Sequence, residues 1–199
     1  KTVNSDAEFE HLVKKYGFDT VGTGKLDIDM WPDDVLHQVV DGDDDTASLR
    51  SYAKVLTKQR RKQYEEGRLG MIIDGTARDY GRLVKEKKQL EKLGYDTYMV
   101  FVNTSLEVAH KRNEDRERRL KPELVNSTWN SVQTNMKKFK KLFGNNFVEV
   151  DNSKHLTDEE ATEKFNKITK EHISKFVKKP TKNKRGKKWI ENQKILKRK

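Results

Sequence analysis

A carboxylate, a hydroxyl and a guanidinium follow one apolar segment within five positions. Residues 69–73 form a compact apolar run, and Asp74, Thr76 and Arg78 come directly after it, with Gly75 between the first two. A run of this length that ends in an Asp-Gly turn predicts a buried strand. Ligands of open α/β sheets bind at the carboxyl ends of the strands, so these side chains could contact a polar substrate. An ordinary turn with a helix cap at Thr76 explains the same residues equally well.

A second acid follows the short extended stretch at residues 2–4. Asp6 stands where a carboxylate could accept the proton of a hydroxyl group or orient that hydroxyl as an acceptor. The same position suits the N-cap of the helix predicted to follow. The sequence alone leaves both roles open.

Arginines recur at helical spacing in residues 112–119. Arg112, Arg116 and Arg119 are four and then three positions apart, which predicts that they share one helix face. Several arginines that converge on phosphate groups position them and neutralise their charge, as phosphoryl transfer requires. The acids interspersed in this segment could instead pair with the arginines and leave an ordinary solvated face.

The elements that must position these residues alternate between helix and strand. Strands followed by long helices, without hairpin signals, indicate an α/β fold with a parallel sheet. A further short helix is predicted to begin at Pro32, and Gly94 is predicted to cap a helix C-terminus. Strands are predicted at 2–4, 69–73, 98–102 and 147–150, and helices at 6–16, 46–66, 78–93, 106–117, 123–143 and 158–177.

In this order, the motifs make the chain resemble P-loop kinases over roughly residues 1–150. The segment from Ile72 to Arg78 is similar to the strand and turn of zeta-toxin-type kinases, which phosphorylate UDP-N-acetylglucosamine or similar acceptors, although Asp74 stands where that family usually has Glu. Residues 80–132 resemble phage-type polynucleotide 5′-kinases in their helix, strand and arginine-rich lid, including Arg112, Arg116 and Pro122. The resemblance implies a three-layer P-loop sandwich with a mainly parallel sheet, ATP as phosphoryl donor, and Mg²⁺.

The resemblance also implies roles for individual residues. Asp6 would be the base or the carboxylate that orients the acceptor. Asp74 and Thr76 would bind the acceptor, and Asp74 would help to hold Mg²⁺ through water. Arg78 would contact the acceptor or its phosphate. The lid arginines Arg112 and Arg116 would stabilise charge on the transferring phosphoryl group, with Arg119 as a further candidate.

One element that these kinases require is missing from the sequence. A glycine-rich loop ending in Gly-Lys-Ser/Thr holds the ATP phosphates, and no such string occurs. Residues 22–26 come nearest, but they lack the spacing and the hydroxyl, and no apolar strand precedes them. Because the first strand of that fold lies in the middle of the sheet, its loss would leave unpaired backbone groups. We therefore expect the missing strand and loop to lie upstream of Lys1.

The positive charge is concentrated at the C-terminus. The 199 residues carry a net charge of +11; eleven basic residues and one acid give residues 178–199 a charge of +10 and leave +1 for residues 1–177. We therefore divide the chain into a kinase-like domain, 1–177, and a basic tail, 178–199. The tail could bind a nucleic acid, remain a mobile solubilising terminus, or form an amphipathic helix on an anionic surface. Nucleic-acid contacts are expected from Lys184, Arg185, Lys187, Lys188 and Trp189.

The composition argues against disulfides and against a membrane-spanning segment. The chain has no cysteine and no apolar run near the ~20 residues that span a bilayer. A cytoplasmic protein without a membrane span is therefore expected. An acidic loop at residues 41–45 has neither the length nor the spacing of a calcium loop.

Three functions remain open from the sequence. The first is an ATP-dependent kinase of a small molecule, nucleotide or nucleotide-sugar. The second is a polynucleotide 5′-hydroxyl kinase. The third is a catalytically inactive P-loop relative that serves as a binding or structural module. The sequence does not identify the acceptor or the oligomeric state.

Overall fold

The computed structural model describes residues 1–17, 39–40, 48–116, 119–154 and 156–197. The predicted helix at Pro32, the glycine-containing segment 22–26 and the acidic loop 41–45 lie outside these residues. The described chain forms two compact units: Lys1–Thr76 with His110–Val125, and Ala77–Ala109 with Asn126–Lys199.

The first unit contains a pair of short strands and two long helices. Strand β1 (Thr2–Val3) leads into helix α1 (Ser5–Lys15), and helix α2 (Leu49–Glu66) precedes strand β2 (Ile72–Ile73). β1 and β2 pair in parallel, with Thr2 opposite Ile72 and Val3 opposite Ile73. Parallel pairing brings the carboxyl ends of the two strands to the same edge, which is where the predicted acids follow.

The core of this unit lies between α1 and α2. The apolar residues of α1 recur every three to four positions, so one face of that helix is buried against α2. The buried side chains are Phe9, Leu12, Val13, Val39 and Ala53.

β2 differs from the sequence prediction in length and in burial. A buried strand was expected over residues 69–73, but the strand covers two residues and Ile72 is 70% exposed. Residues before it complete the end of α2 instead. Leu69 N–H donates to the Tyr64 carbonyl at 2.9 Å, and Arg68 N–H donates to the Glu65 carbonyl at 3.2 Å. This Schellman pattern uses the backbone that a longer strand would need.

The Schellman turn places Arg68 in a left-handed conformation, with φ of 52°. A side chain at this φ costs roughly 1 kcal/mol relative to glycine. We therefore expect Arg68→Gly to raise the free energy of unfolding by about 0.5–1 kcal/mol, measured by urea denaturation. Arg68→Ala is the matched control, because it removes the side chain but keeps the strain. An equal gain from both variants would contradict the backbone explanation.

The second unit contains the other parallel strand pair. Strand β3 (Met99–Asn103) pairs in parallel with β4 (Phe147–Asp151), from Met99 opposite Phe147 to Asn103 opposite Asp151. Helix α3 (Tyr80–Leu93) precedes β3, and a single 3₁₀ turn (Gly144–Asn146) leads into β4. The predicted cap at Gly94 is confirmed: its φ is 103°, in the left-handed region.

Further helical segments complete the order of the described chain. Helix α4 (Leu106–Glu114) and helix α5 (Pro122–Phe143) separate β3 from β4. A helical stretch follows β4, as predicted, and consists of α6 (Asp158–Ile168), a π turn (Thr169–Ile173) and α7 (Ser174–Lys178). Helix α8 (Lys184–Leu196) lies within the predicted basic tail.

Aromatic side chains form the core of the second unit. Phe139 on α5 is fully buried, and its ring centre lies 5.3 Å from that of Tyr80 and 6.5 Å from that of Phe101. Leu90 and Val150 are also buried. The fold is thus a mixed α/β structure with parallel strand pairs, as predicted in outline. In the described residues the strands form two separate pairs and not one continuous sheet.

Candidate functional site

The side chain of Asn4 connects the two acids that the sequence singled out. Its Oδ1 accepts from the Asp6 backbone N–H at 2.7 Å, and its Nδ2 donates to Asp74 Oδ2 at 2.9 Å. Both contacts lie at the carboxyl edge of the β1–β2 pair. One amide group therefore holds the start of α1 and the carboxylate that follows β2 in a fixed relation.

Asn4 is also the N-cap of α1, so the alternative role of Asp6 as that cap is wrong. A capping carboxylate would point back to the helix amides, whereas Asp6 pairs with Arg50. Arg50 Nη1 lies 2.5 Å from Asp6 Oδ1, and the Asp6 side chain is 46% exposed. The Arg50 guanidinium also stacks over Phe9, 5.1 Å from its ring centre. Asp6 is thus oriented by a charged partner and remains accessible to solvent.

The turn after β2 carries the remaining residues of the first motif. Thr76 is exposed, and the cap of α3 is Asp79, whose side chain accepts from the Arg82 N–H at 2.9 Å. The alternative interpretation of Thr76 as the helix cap is therefore wrong. Ala77 has φ of 56°, a strained value for a residue with a Cβ.

Arg78 belongs to the second unit. Its side chain is exposed, and its carbonyl accepts from Asn135 Nδ2 at 2.8 Å. The buried Asn135 thus fixes the backbone at this arginine.

The arginine segment does not form the continuous helix face that was predicted. α4 ends at Glu114, so Arg116 and Arg119 lie beyond it. The buried Asn113 explains the break: its Nδ2 donates to the Leu120 carbonyl at 2.8 Å, and its Oδ1 accepts from the Leu120 N–H at 2.9 Å. These two bonds turn the chain back after α4. Arg112 and Arg119 are half-buried and Arg116 is exposed.

A separate polar network lies at the carboxyl edge of the β3–β4 pair. Asn103 Nδ2 donates to Glu149 Oε1 at 3.0 Å, and Asn103 Oδ1 accepts from Gln133 Nε2 at 2.7 Å. Trp129 Nε1 donates to the Thr104 carbonyl at 2.9 Å. Because these groups satisfy one another, we interpret the network as structural support for the strand ends.

Asp151 ends β4 and has a lowered pKa. The hydroxyl and the backbone N–H of Ser153 both bond to its carboxylate, and the nearby Lys164 and Lys154 add smaller effects. The N–H of Ser153 lies 2.9 Å from Asp151 Oδ1. Hydrogen bonds to the ionised form favour it and lower the pKa.

We expect Ser153→Ala to raise the Asp151 pKa towards its ordinary value of 3.8. Because the folded protein binds the Asp151 proton less tightly than the unfolded chain does, the ionised carboxylate stabilises the fold at pH values above its ordinary pKa. This stabilisation is lost as the pH falls through the lowered pKa of the folded state. Carboxyl-carbon NMR titration measures the shift. Ser131→Ala is a matched control, since its hydroxyl donates to the Ser127 carbonyl of its own helix. An unchanged Asp151 pKa in Ser153→Ala would refute the assigned cause.

The basic residues of the predicted tail lie on an ordered helix. Asn183 caps α8, and its Nδ2 donates to the carbonyls of Glu91 at 2.7 Å and Tyr95 at 3.2 Å. Asp96 Oδ2 accepts from the Thr181 hydroxyl at 2.7 Å. Arg185 Nη1 donates to the Lys92 carbonyl at 2.8 Å, so this arginine binds the end of α3. The charged side chains Lys184, Arg185, Lys187 and Lys188 are exposed, and Trp189 is 38% exposed.

Two glycines allow α8 to approach the end of α3 closely. Gly186 is buried, and a Cβ there would lie 2.4 Å from the Gly94 carbonyl oxygen. A Cβ on Gly94 would lie 2.8 Å from Gly186 N. Neither backbone has room for a side chain at this contact.

A cleft of about 280 Å³ lies beside this attachment. Lys87 pairs there with Glu91, and its ammonium lies 5.5 Å from the ring centre of Phe143. Asp96, which also lines the cleft, bonds to the segment before α8. These polar groups serve the attachment of α8, so we assign no ligand to the cleft.

Three residues of functional interest were not predicted from the sequence: Asn4, Arg50 and Asn113. Asn4 precedes an apolar-periodic segment, which is a signal for a helix cap that sequence reasoning could have used. Arg50 and Asn113 carry no such local signal, because their partners are 44 and seven positions away, respectively.

The described ranges contain neither a metal-binding cluster nor a membrane-spanning helix. No three His, Cys, Asp or Glu side chains there are grouped so that they could hold a metal ion. No helix within these ranges is long and apolar enough to cross a bilayer.

Comparison with known proteins gave no match: no family model, no curated protein and no solved structure is significantly similar to the chain.

Proposed function

We propose that the protein is an ATP-dependent phosphotransferase that moves the γ-phosphoryl group to a hydroxyl of a small molecule, nucleotide or nucleotide-sugar. The observation that carries the proposal is the Asn4 contact, which holds Asp74 and the start of α1, including Asp6, at one edge of a parallel strand pair. Polar ligands of α/β proteins bind at this edge. The resemblance of the same residues to P-loop kinases supports this assignment. The proposal includes the three-layer P-loop sandwich as the fold.

Asp6 is assigned to the acceptor hydroxyl. Its carboxylate is partly exposed, and Arg50 fixes its orientation, so it can accept a hydrogen bond from a hydroxyl and receive the proton as the bond to phosphorus forms. Asp74 and Thr76 are assigned to the binding of the acceptor. Their side chains are exposed directly after β2, as a substrate contact requires.

The arginines are assigned to charge stabilisation. Arg112 and Arg116 would neutralise the transferring phosphoryl group, with Arg119 as a further candidate. Because Arg116 and Arg119 lie outside α4, they would act from a turn fixed by Asn113 and not from a helix face.

ATP and Mg²⁺ are part of the proposal because the resemblance to P-loop kinases implies them. A Gly-Lys-Ser/Thr string is absent from the sequence, and the described residues contain no cluster of metal-ligating side chains. Asp74 could hold Mg²⁺ through water. We therefore assign the described residues to the acceptor and to the transferring phosphoryl group, and none of them to a glycine-rich loop that holds the ATP phosphates.

The experiment that tests this function is a radiolabel transfer assay with the full chain, γ-labelled ATP and Mg²⁺. The acceptors are a nucleoside, UDP-N-acetylglucosamine and an oligonucleotide with a 5′-hydroxyl. Label on either small molecule supports the proposal. Absence of label on every acceptor, with a folded protein by circular dichroism, contradicts it and favours a binding or structural module.

A polynucleotide 5′-hydroxyl kinase is the second candidate. The observation in its favour is the set of exposed basic side chains on α8. Label on the oligonucleotide alone would select this candidate. We assign either activity to the cytoplasm, in keeping with a chain that lacks cysteine.

A further inference from the structure

α8 is held in place before any ligand binds. Its cap residue Asn183 bonds to two carbonyls at the end of α3, and Arg185 bonds to a third. An isolated helix of 13 residues is marginal in water, so these contacts and the close approach of Gly186 stabilise it. A ligand of α8 would therefore meet an ordered surface, and binding would lose little free energy to ordering of the chain.

Lysines cover the exposed side of α8. Lys187 and Lys188 follow Lys184 by three and four positions, and Lys194 follows Lys187 by seven, so these four form a basic face along the helix. All four are exposed, and within the part of the chain that the structure describes none of them forms a salt bridge. Lys184 and Lys188 are separated by about 6 Å of helix rise, which suits adjacent phosphates of an extended strand.

Trp189 follows Lys188 by one position, so it lies about 100° around the helix from the nearest lysine of the basic face. It is 38% exposed, so part of its indole ring is available to solvent. Bases of a single strand stack on such rings, and stacking on tryptophan tolerates any base. A flexible single strand that is bound at Lys188 can turn a base around the helix onto this ring, so α8 offers both a phosphate contact and a stacking contact.

A lipid surface fits α8 less well. A helix that lies in a membrane interface needs its apolar residues on one continuous face. The large apolar residues of α8 are Trp189, Ile190, Ile195 and Leu196, and at helical spacing they point to several sides of the helix. Ile195 even lies on the side of Lys184 and Lys188.

We propose that α8, in its attached position, binds the phosphate backbone of a single-stranded nucleic acid through the basic face, with Trp189 stacking on a base. This binding does not depend on phosphoryl transfer, and its test contains no ATP, so it can fail separately from the proposed function.

The test is fluorescence anisotropy of a 3′-labelled, 20-nucleotide poly-dT strand titrated with the full chain over a salt series. With four lysine–phosphate contacts, the plot of the logarithm of the binding constant against log salt concentration should have a slope steeper by about 3 than for a protein that lacks these contacts. The variant Lys184→Ala/Lys187→Ala/Lys188→Ala/Lys194→Ala should lose that part of the slope and weaken binding about 100-fold at physiological salt. Trp189→Ala should weaken binding about tenfold, with the slope retained.

The matched control removes four exposed lysines elsewhere in the same unit: Lys137→Ala/Lys140→Ala/Lys141→Ala/Lys170→Ala. An equal loss in this variant would show that net charge alone is responsible, and would overturn the proposal. Gly186→Ala keeps every charge but disturbs the attachment, and weaker binding in it supports the attached helix as the binding form. Unchanged binding in Gly186→Ala overturns the claim that the attached helix is the binding form. Binding to phosphatidylserine vesicles but not to poly-dT overturns the choice of a nucleic acid as the ligand.

Discussion

Replacement of Asp6 by Asn is expected to lower the rate of the proposed phosphoryl transfer by about 10²- to 10⁴-fold, while the protein remains folded. The amide has the shape of the carboxylate but cannot receive the proton of the acceptor hydroxyl. The ion pair with Arg50 is also lost, but a pair this exposed contributes less than about 1 kcal/mol to stability. Initial rates at saturating ATP and acceptor measure the effect, and circular dichroism reports on folding.

Glu8→Gln is the matched control for this experiment. Glu8 lies on the same helix, also pairs with an arginine of α2, and is replaced by an amide in the same way. A catalytic role for Asp6 predicts near-normal transfer in Glu8→Gln. Arg50→Gln leaves the Asp6 carboxylate but removes its orienting partner, so an intermediate rate is expected. Equal rates in Asp6→Asn and Glu8→Gln would remove Asp6 from the mechanism.

Phe139→Ala is expected to destabilise the second unit by about 3–5 kcal/mol. The ring is fully buried and contacts Tyr80 and Phe101, so its removal leaves a cavity between α5, α3 and β3. Urea denaturation followed by the indole NMR signal of Trp129 measures this unit specifically, since that indole bonds to the carbonyl of Thr104.

Two further variants distinguish a cavity from a general loss of apolar surface. Phe139→Leu fills most of the space and should cost less than Phe139→Ala. Phe165 is 38% exposed, so Phe165→Ala should have a much smaller effect. A loss of stability in Phe165→Ala as large as that in Phe139→Ala would contradict the core assignment.

Apolar periodicity predicted α1 to α5, the helical stretch after β4 and the positions of the strands within a few residues, because it reflects which side of each element is buried. Element ends depend on particular side-chain hydrogen bonds. Asn4 sets the start of α1 and Asn113 sets the end of α4, and the latter separates arginines that were predicted to share a face.

The candidate site was predicted in part. Both acids were identified, because each follows an apolar extended segment. The contact between Asn4 and Asp74 joins residues 70 positions apart, and no local pattern encodes it. The attachment of the basic tail was missed for the same reason. The high charge density left a mobile terminus among the alternatives, whereas Asn183 bonds to a carbonyl 92 positions away.

The contact between Gly94 and Gly186 restricts how related sequences can vary. Each backbone occupies the space that a side chain on the other would need, so a change at one position cannot be compensated by a smaller residue at the other. Gly94 is constrained twice, since its φ of 103° also disfavours any residue with a Cβ. Homologues that keep the C-terminal helix in this position should therefore retain both glycines, and those that lose one should lose the pair together.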